Sequence, residues 1–167
     1  MPHARVLTYG YDGLACLRLG NEHAISQVAW ELLAALEAQR RLNPLRPLVY
    51  VAHGCGGLII AELLRQSQSC EQSHLRVIFE STCSSIFFGT NFSDATQACR
   101  LTSVAAYDNN QKQQLTVASS WLRELRNNFE AAARERKWIV EFFLDQPVTA
   151  NSDGQEVRCS VPVLLRY

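Results

Sequence analysis

The stretch VYVAHGCGGLII, residues 50–61, constrains the fold of this chain more than any other. With Leu48 and Val49 in front of it, the run LVYVA is five apolar residues without polar alternation. That is the pattern of a strand covered on both faces of a parallel sheet. A turn follows at 53–55, and GGLIIAELLRQS then has helical composition, with glycines that let the helix approach the strand closely. Strand, sharp turn and helix in this order open a βαβ unit.

The flanking sequence repeats the alternation. RVLTY at 5–9 is β-rich and runs into the turn GYDG, which predicts a first strand. Over 23–42 the apolar positions Ile25, Val28, Ala29, Leu32, Leu33 and Leu36 recur at three- and four-residue steps, an amphipathic helix that NPLRP stops. A helix is expected at 74–82, a strand in SIFFGT at 85–90, and a long helix over 112–136. WIVEFFL at 138–144 predicts a strand ending at Asp145, and VRCSVPVLLRY an edge strand, because Pro162 cannot serve a central ladder. Trp30, Trp121 and Trp138 occupy apolar positions of these elements and are expected in the core. The charged residues of 123–136 read as a solvated helix face with i, i+4 pairs.

The expected architecture is a three-layer α/β fold, about four parallel strands with helices on both faces, in one domain over 1–167. A chain of 167 residues, 47% apolar, can bury one such core. Ligands in such sheets bind at the carboxyl ends of the strands, which here are 9–13, 53–55, 89–94 and 145–149.

Charge excludes some functions. Lysine plus arginine equals aspartate plus glutamate at 16 each, so no electrostatic footprint for nucleic acid exists. No apolar run reaches the roughly 20 residues of a membrane helix, and the start lacks the order of a signal peptide, so a cytoplasmic protein is expected. Six cysteines without CxxC spacing fit reduced thiols. Four scattered histidines call for no metal, and no cofactor is expected.

A nucleophile elbow, G-x-S-x-G, needs small residues two before and two after its apex, since strand and helix backbones press together there. With the apex at position 54 the flanks are Ala52 and Gly56, which fit; at position 55 they are His53 and Gly57, and a histidine crowds the first. The spacing selects position 54, which is a glycine.

ARVLTYGYD, RPLVYVAHGCGGLIIAELL, IFESTCSSIFFGT and WIVEFFLDQPV, in that order, resemble the lipase-like α/β-hydrolase domains at the front of fungal NACHT and ankyrin-repeat proteins. The resemblance implies a reduced α/β-hydrolase-like fold in which the family's serine falls on Gly54. The next residue, whose N–H helps build the oxyanion hole, falls on Cys55. The family's P-H-R-G loop falls on Asn91, Phe92, Ser93 and Asp94 and matches none of them. Asp145 stands where a triad acid could be, but the triad histidine should follow it, and the last histidine here is His74. Serine and histidine are both missing, and the family's upstream strand and oxyanion loop have no counterpart, so the resemblance is to a hydrolase trimmed at both ends.

Candidate catalytic groups are therefore Asp12, His53 and Asp145, with Tyr9, Tyr11, Gly54, Cys55, Thr90, Asn91, Phe92 and Asp94 as candidate substrate contacts. Cys55 opens a helix, where a thiolate gains stabilisation, yet it stands one step past the apex and a packed thiol is the plainer reading. His53 could exchange protons, against a structural hydrogen-bonding role. Asp94 could equally cap a helix, and Asp12 a turn. The function expected is binding of a hydrophobic small molecule for non-hydrolytic chemistry in fungal secondary metabolism, a cyclisation, cycloaddition or isomerisation. The alternatives are a non-catalytic sensor or interaction module derived from fungal immune-type receptors, and a Cys55-dependent esterase or thioesterase. An exposed sheet edge makes a homodimer the expected assembly, without nucleic-acid or membrane partners.

Overall fold

The computed structural model describes residues 4–11, 22–90, 92, 111–145, 149–150, 156–157 and 160–163. Helix α1 (Glu22–Arg40) precedes strand β1 (Leu48–His53), helices α2 (Cys55–Ser69) and α3 (Ser73–Ser81), strand β2 (Thr82–Phe88), helix α4 (Gln111–Arg136) and strand β3 (Ile139–Asp145). Two short strands, β4 (Thr149–Ala150) and β5 (Glu156–Val157), pair with each other, and β6 (Ser160–Val163) closes the order. The fold is α/β: helices flank a sheet whose strands run β1-β2-β3-β6, the first three parallel and β6 antiparallel at the edge, as Pro162 requires.

Three parallel strands stand where four were expected. Residues 5–9 form no strand, and Val6 is exposed. A β-rich run becomes a strand only where a neighbouring strand meets it, and no described strand does so here. Arg5 instead donates a 2.7 Å hydrogen bond to the Gln39 side chain on α1.

The two faces of the sheet differ. Tyr50, Ser85 and Val140 form one row of the inner face, and Ala52, Phe87 and Phe142 the next. Phe87 is fully buried there, with ring centroids 5.0 Å from Phe142 and 5.4 Å from Phe129 of α4. The outer face carries the alternate residues, in rows Val49–Ser84–Ile139, Val51–Ile86–Glu141 and His53–Phe88–Phe143. Val49, Val51 and Ile139 are 55%, 67% and 62% exposed. No described helix covers them.

Topology explains the asymmetry. Strands β1, β2 and β3 are laid down in sequence across the sheet, and right-handed crossovers that always step the same way deliver their helices to the same face. Covering the second face requires a reversal of strand order. Within the helical layer, α2 is the hub, packed against α1, α3, α4 and β1. Trp138 is buried as expected, whereas Trp30 lies on the outside of α1 and is exposed.

Arg40, at the end of α1, is buried. Its Nη2 donates to the carbonyls of Pro44, at 2.8 Å, and of Arg46, and to the Ser81 hydroxyl at 3.1 Å. The guanidinium thereby ties the loop after α1 to the end of α3. Arg40→Ala removes the donor shared by two loop carbonyls and the buried Ser81 hydroxyl and is expected to cost about 1–2 kcal/mol, read from urea unfolding midpoints. An unchanged midpoint would show that the loop holds without this clasp.

Candidate functional site

At the carboxyl end of β1 the Gly54 N–H donates to the Phe88 carbonyl at 2.8 Å, which keeps the chain in register with β2. Gly54 then adopts φ 54° and ψ −123°, a conformation that L side chains tolerate only with strain, and α2 begins at Cys55. A Cβ on Gly56 would lie 3.8 Å from the Ala52 Cβ, so the two small residues that the elbow pattern demands do face each other. Gly54 accordingly forms the tip of the turn between β1 and α2.

Thr90 locks the turn from the neighbouring strand. Its hydroxyl donates to the Gly54 carbonyl at 2.9 Å, and its side chain fills the space above Gly57. Gly89, with φ 59°, turns the chain out of β2, and its N–H donates to the Phe143 carbonyl at 2.7 Å. Tyr11 reaches the same place: its hydroxyl would lie 3.4 Å from a Cβ on Gly56, and its ring stacks with Tyr9 at 6.5 Å between centroids. Tyr11, Gly54, Cys55 and Thr90 thus gather around one turn.

The other candidates divide. The Cys55 side chain is 8% exposed and belongs to the hydrophobic core, so it points away from a solvent-side substrate. His53 stands on the outer face in the row of Phe88 and Phe143. Phe92 is packed among Phe87, Phe129 and Phe142. Asp145 ends β3, where its backbone pairs with Ser160. Asp12, Asn91 and Asp94 lie outside the described residues, as does the side chain of Asp145.

A second polar site sits between helices. The Glu62 carboxylate is wholly buried on α2 and accepts from Arg65 at 2.7 Å through each of two nitrogens, from Ser26 at 2.8 Å and from Gln66 at 2.8 Å. Burial pushes this carboxyl upward, but the donors from Arg65, Gln66 and Ser26 outweigh it and hold it below the ordinary carboxylate range. A cavity of about 230 Å³ opens above this cluster between α1 and α4, where Glu22, His23, Arg65, Trp121 and Glu124 meet. Sequence reasoning passed over it. The only signal was glutamate, arginine and glutamine at i, i+3 and i+4 inside an apolar helix.

Among the described residues no group of three or more histidine, cysteine, aspartate or glutamate side chains could hold a metal ion. No described helix is long and apolar enough to cross a membrane. Comparisons with protein-family models, curated proteins and solved structures found no match, so the reading rests on this geometry.

Proposed function

We propose that the chain is a non-catalytic binding module on a reduced α/β-hydrolase-like scaffold, in which the elbow survives as a structural turn. Gly54 carries this reading. The apex that would present a nucleophile has no side chain, and the adjoining thiol of Cys55 is packed into the core. Elbow chemistry also requires a base aligned with the nucleophile, and His53 stands on the opposite face of the sheet from that core. A small-molecule cyclase would draw on Asp12, His53, Asn91 or Asp145, of which Asp12, Asn91 and the Asp145 side chain lie outside the described residues, and takes second place.

Turnover of short-chain p-nitrophenyl esters and acyl thioesters is expected at the buffer rate, with no change in Cys55→Ala. Turnover that disappears in Cys55→Ala would overturn the reading. Under native conditions a dilute maleimide is expected to modify exposed Cys83 ahead of buried Cys55, as peptide mapping would record. Gly54→Ser should restore no turnover, because a serine there still lacks its histidine, and should cost about 1–2 kcal/mol through its positive φ.

A further inference from the structure

We propose that the outer face of the sheet is the docking surface for one amphipathic helix of a partner polypeptide, carrying an apolar stripe interrupted by a single lysine or arginine. This inference deepens the binding-module reading and rests on it.

Coverage by a helix follows from the kind of sheet. Parallel sheets occur with both faces covered, by helices in α/β folds. Here the uniform stepping of the crossovers puts the described helices on one side. The face left over is apolar at Val49, Val51, Ile86, Ile139, Phe88 and Phe143, and the last two stack at 4.7 Å between centroids. Such a patch on a protein surface marks an interaction site.

Size and charge select the occupant. The three parallel strands, about 4.8 Å apart and bordered by the edge strand β6, give an apolar strip about 10 Å wide, and three alternate residues along each give about 14 Å of length. One α-helix is about 10 Å across, and about nine or ten of its residues span 14 Å. In the middle row stands Glu141, the one carboxylate among the nine residues of these three rows, and it has no ion pair among the described residues. A helix with a cation in its stripe satisfies that carboxylate as the interface closes over it. A second copy of the sheet does not: a two-fold axis along the strands sets Glu141 against Val51, and one across them sets it against the other Glu141.

The test uses the full chain and two synthetic fluorescein-labelled peptides, 14-residue leucine–alanine amphipathic helices with either lysine or glutamate at the centre of the stripe. Fluorescence anisotropy should show saturable binding of the lysine peptide and about tenfold weaker binding of the glutamate peptide. Glu141→Lys should reverse that order, and Val51→Asp, with unchanged circular dichroism, should abolish both. Absence of saturable binding, or a preference that Glu141→Lys leaves alone, overturns the proposal. So does a dimer in sedimentation that Val51→Asp dissociates, which would make a second copy the occupant. Slow maleimide labelling of Val51→Cys in the isolated protein would assign the face to the chain's own residues, with the same consequence. None of these results touches the elbow, whereas Cys55-dependent ester turnover would remove the non-catalytic reading and leave peptide binding standing.

Discussion

Replacing Gly57 with alanine is expected to cost about 3 kcal/mol and to lower Tm by roughly 10 °C. The added Cβ would lie 2.2, 2.5 and 2.8 Å from Oγ1, Cγ2 and Cβ of Thr90, and two of those atoms are held close to the backbone. Thr90 has little room to retreat, because it is buried and its hydroxyl is bonded to the Gly54 carbonyl. Helix propensity favours alanine over glycine, so the loss must come from the collision. Gly56→Ala is the internal control: its nearest neighbours would lie at 3.4 and 3.8 Å, ordinary contact distances, and its stability should change by less than about 1 kcal/mol. Equal thermal unfolding of the two variants would show that Thr90 does not pin the turn.

Glu62→Ala should be nearly as damaging, at about 2–3 kcal/mol. It removes the acceptor for donors from Arg65, Ser26 and Gln66. Breaking a buried pair from one side leaves a charge without its partner, although Arg65, at 41% side-chain exposure, can recover part of its hydration. The same carboxylate sets a pH dependence. Its folded pKa lies below the ordinary value, so the unfolded chain binds the proton more tightly and acid favours unfolding. Its contribution is complete above the unfolded value of about 4.3 and is lost as pH falls through the folded one. Urea unfolding from pH 7 to pH 3 should therefore show a shallower acid limb in Glu62→Gln than in the parent. Superimposable limbs would remove Glu62 as a source of acid sensitivity.

Much of the fold was legible because its signals are local. The periodicity of Ile25, Ala29, Leu32, Leu33 and Leu36 locates α1, and those residues are buried. Ala52 and Gly56 as flanks place the tip of the turn at Gly54, which is a statement about sterics within five residues. What failed depends on partners distant in sequence. RVLTY has strand composition, yet a strand is made by its neighbour, and none of the described strands supplies one. LVYVA has no polar alternation, which correctly signals a parallel strand but cannot reveal that Val49 and Val51 face outward uncovered. Glu62 reads as an ordinary charged helix residue, and its burial becomes visible only when Ser26 arrives from α1.

The candidate site was legible only in part, for a similar reason. Gly54, Cys55 and Thr90 meet because a turn and the end of the adjacent strand are forced together by β1–β2 pairing. His53, one residue from the apex, lands on the other face because side chains alternate along a strand. His53 is the last residue of β1, and the turn at Gly54 then carries Cys55 into the helix and the core.

The order β1-β2-β3 also bears on how the chain assembles. Each parallel strand pairs with the one made just before it, so a growing chain has a template waiting whenever a new strand emerges. Sheets that insert a late strand between two early ones must hold a gap open during synthesis, exposed to wrong pairings. This one extends by addition at a single growing edge, and β6, the last of its strands, terminates the ladder beside β3.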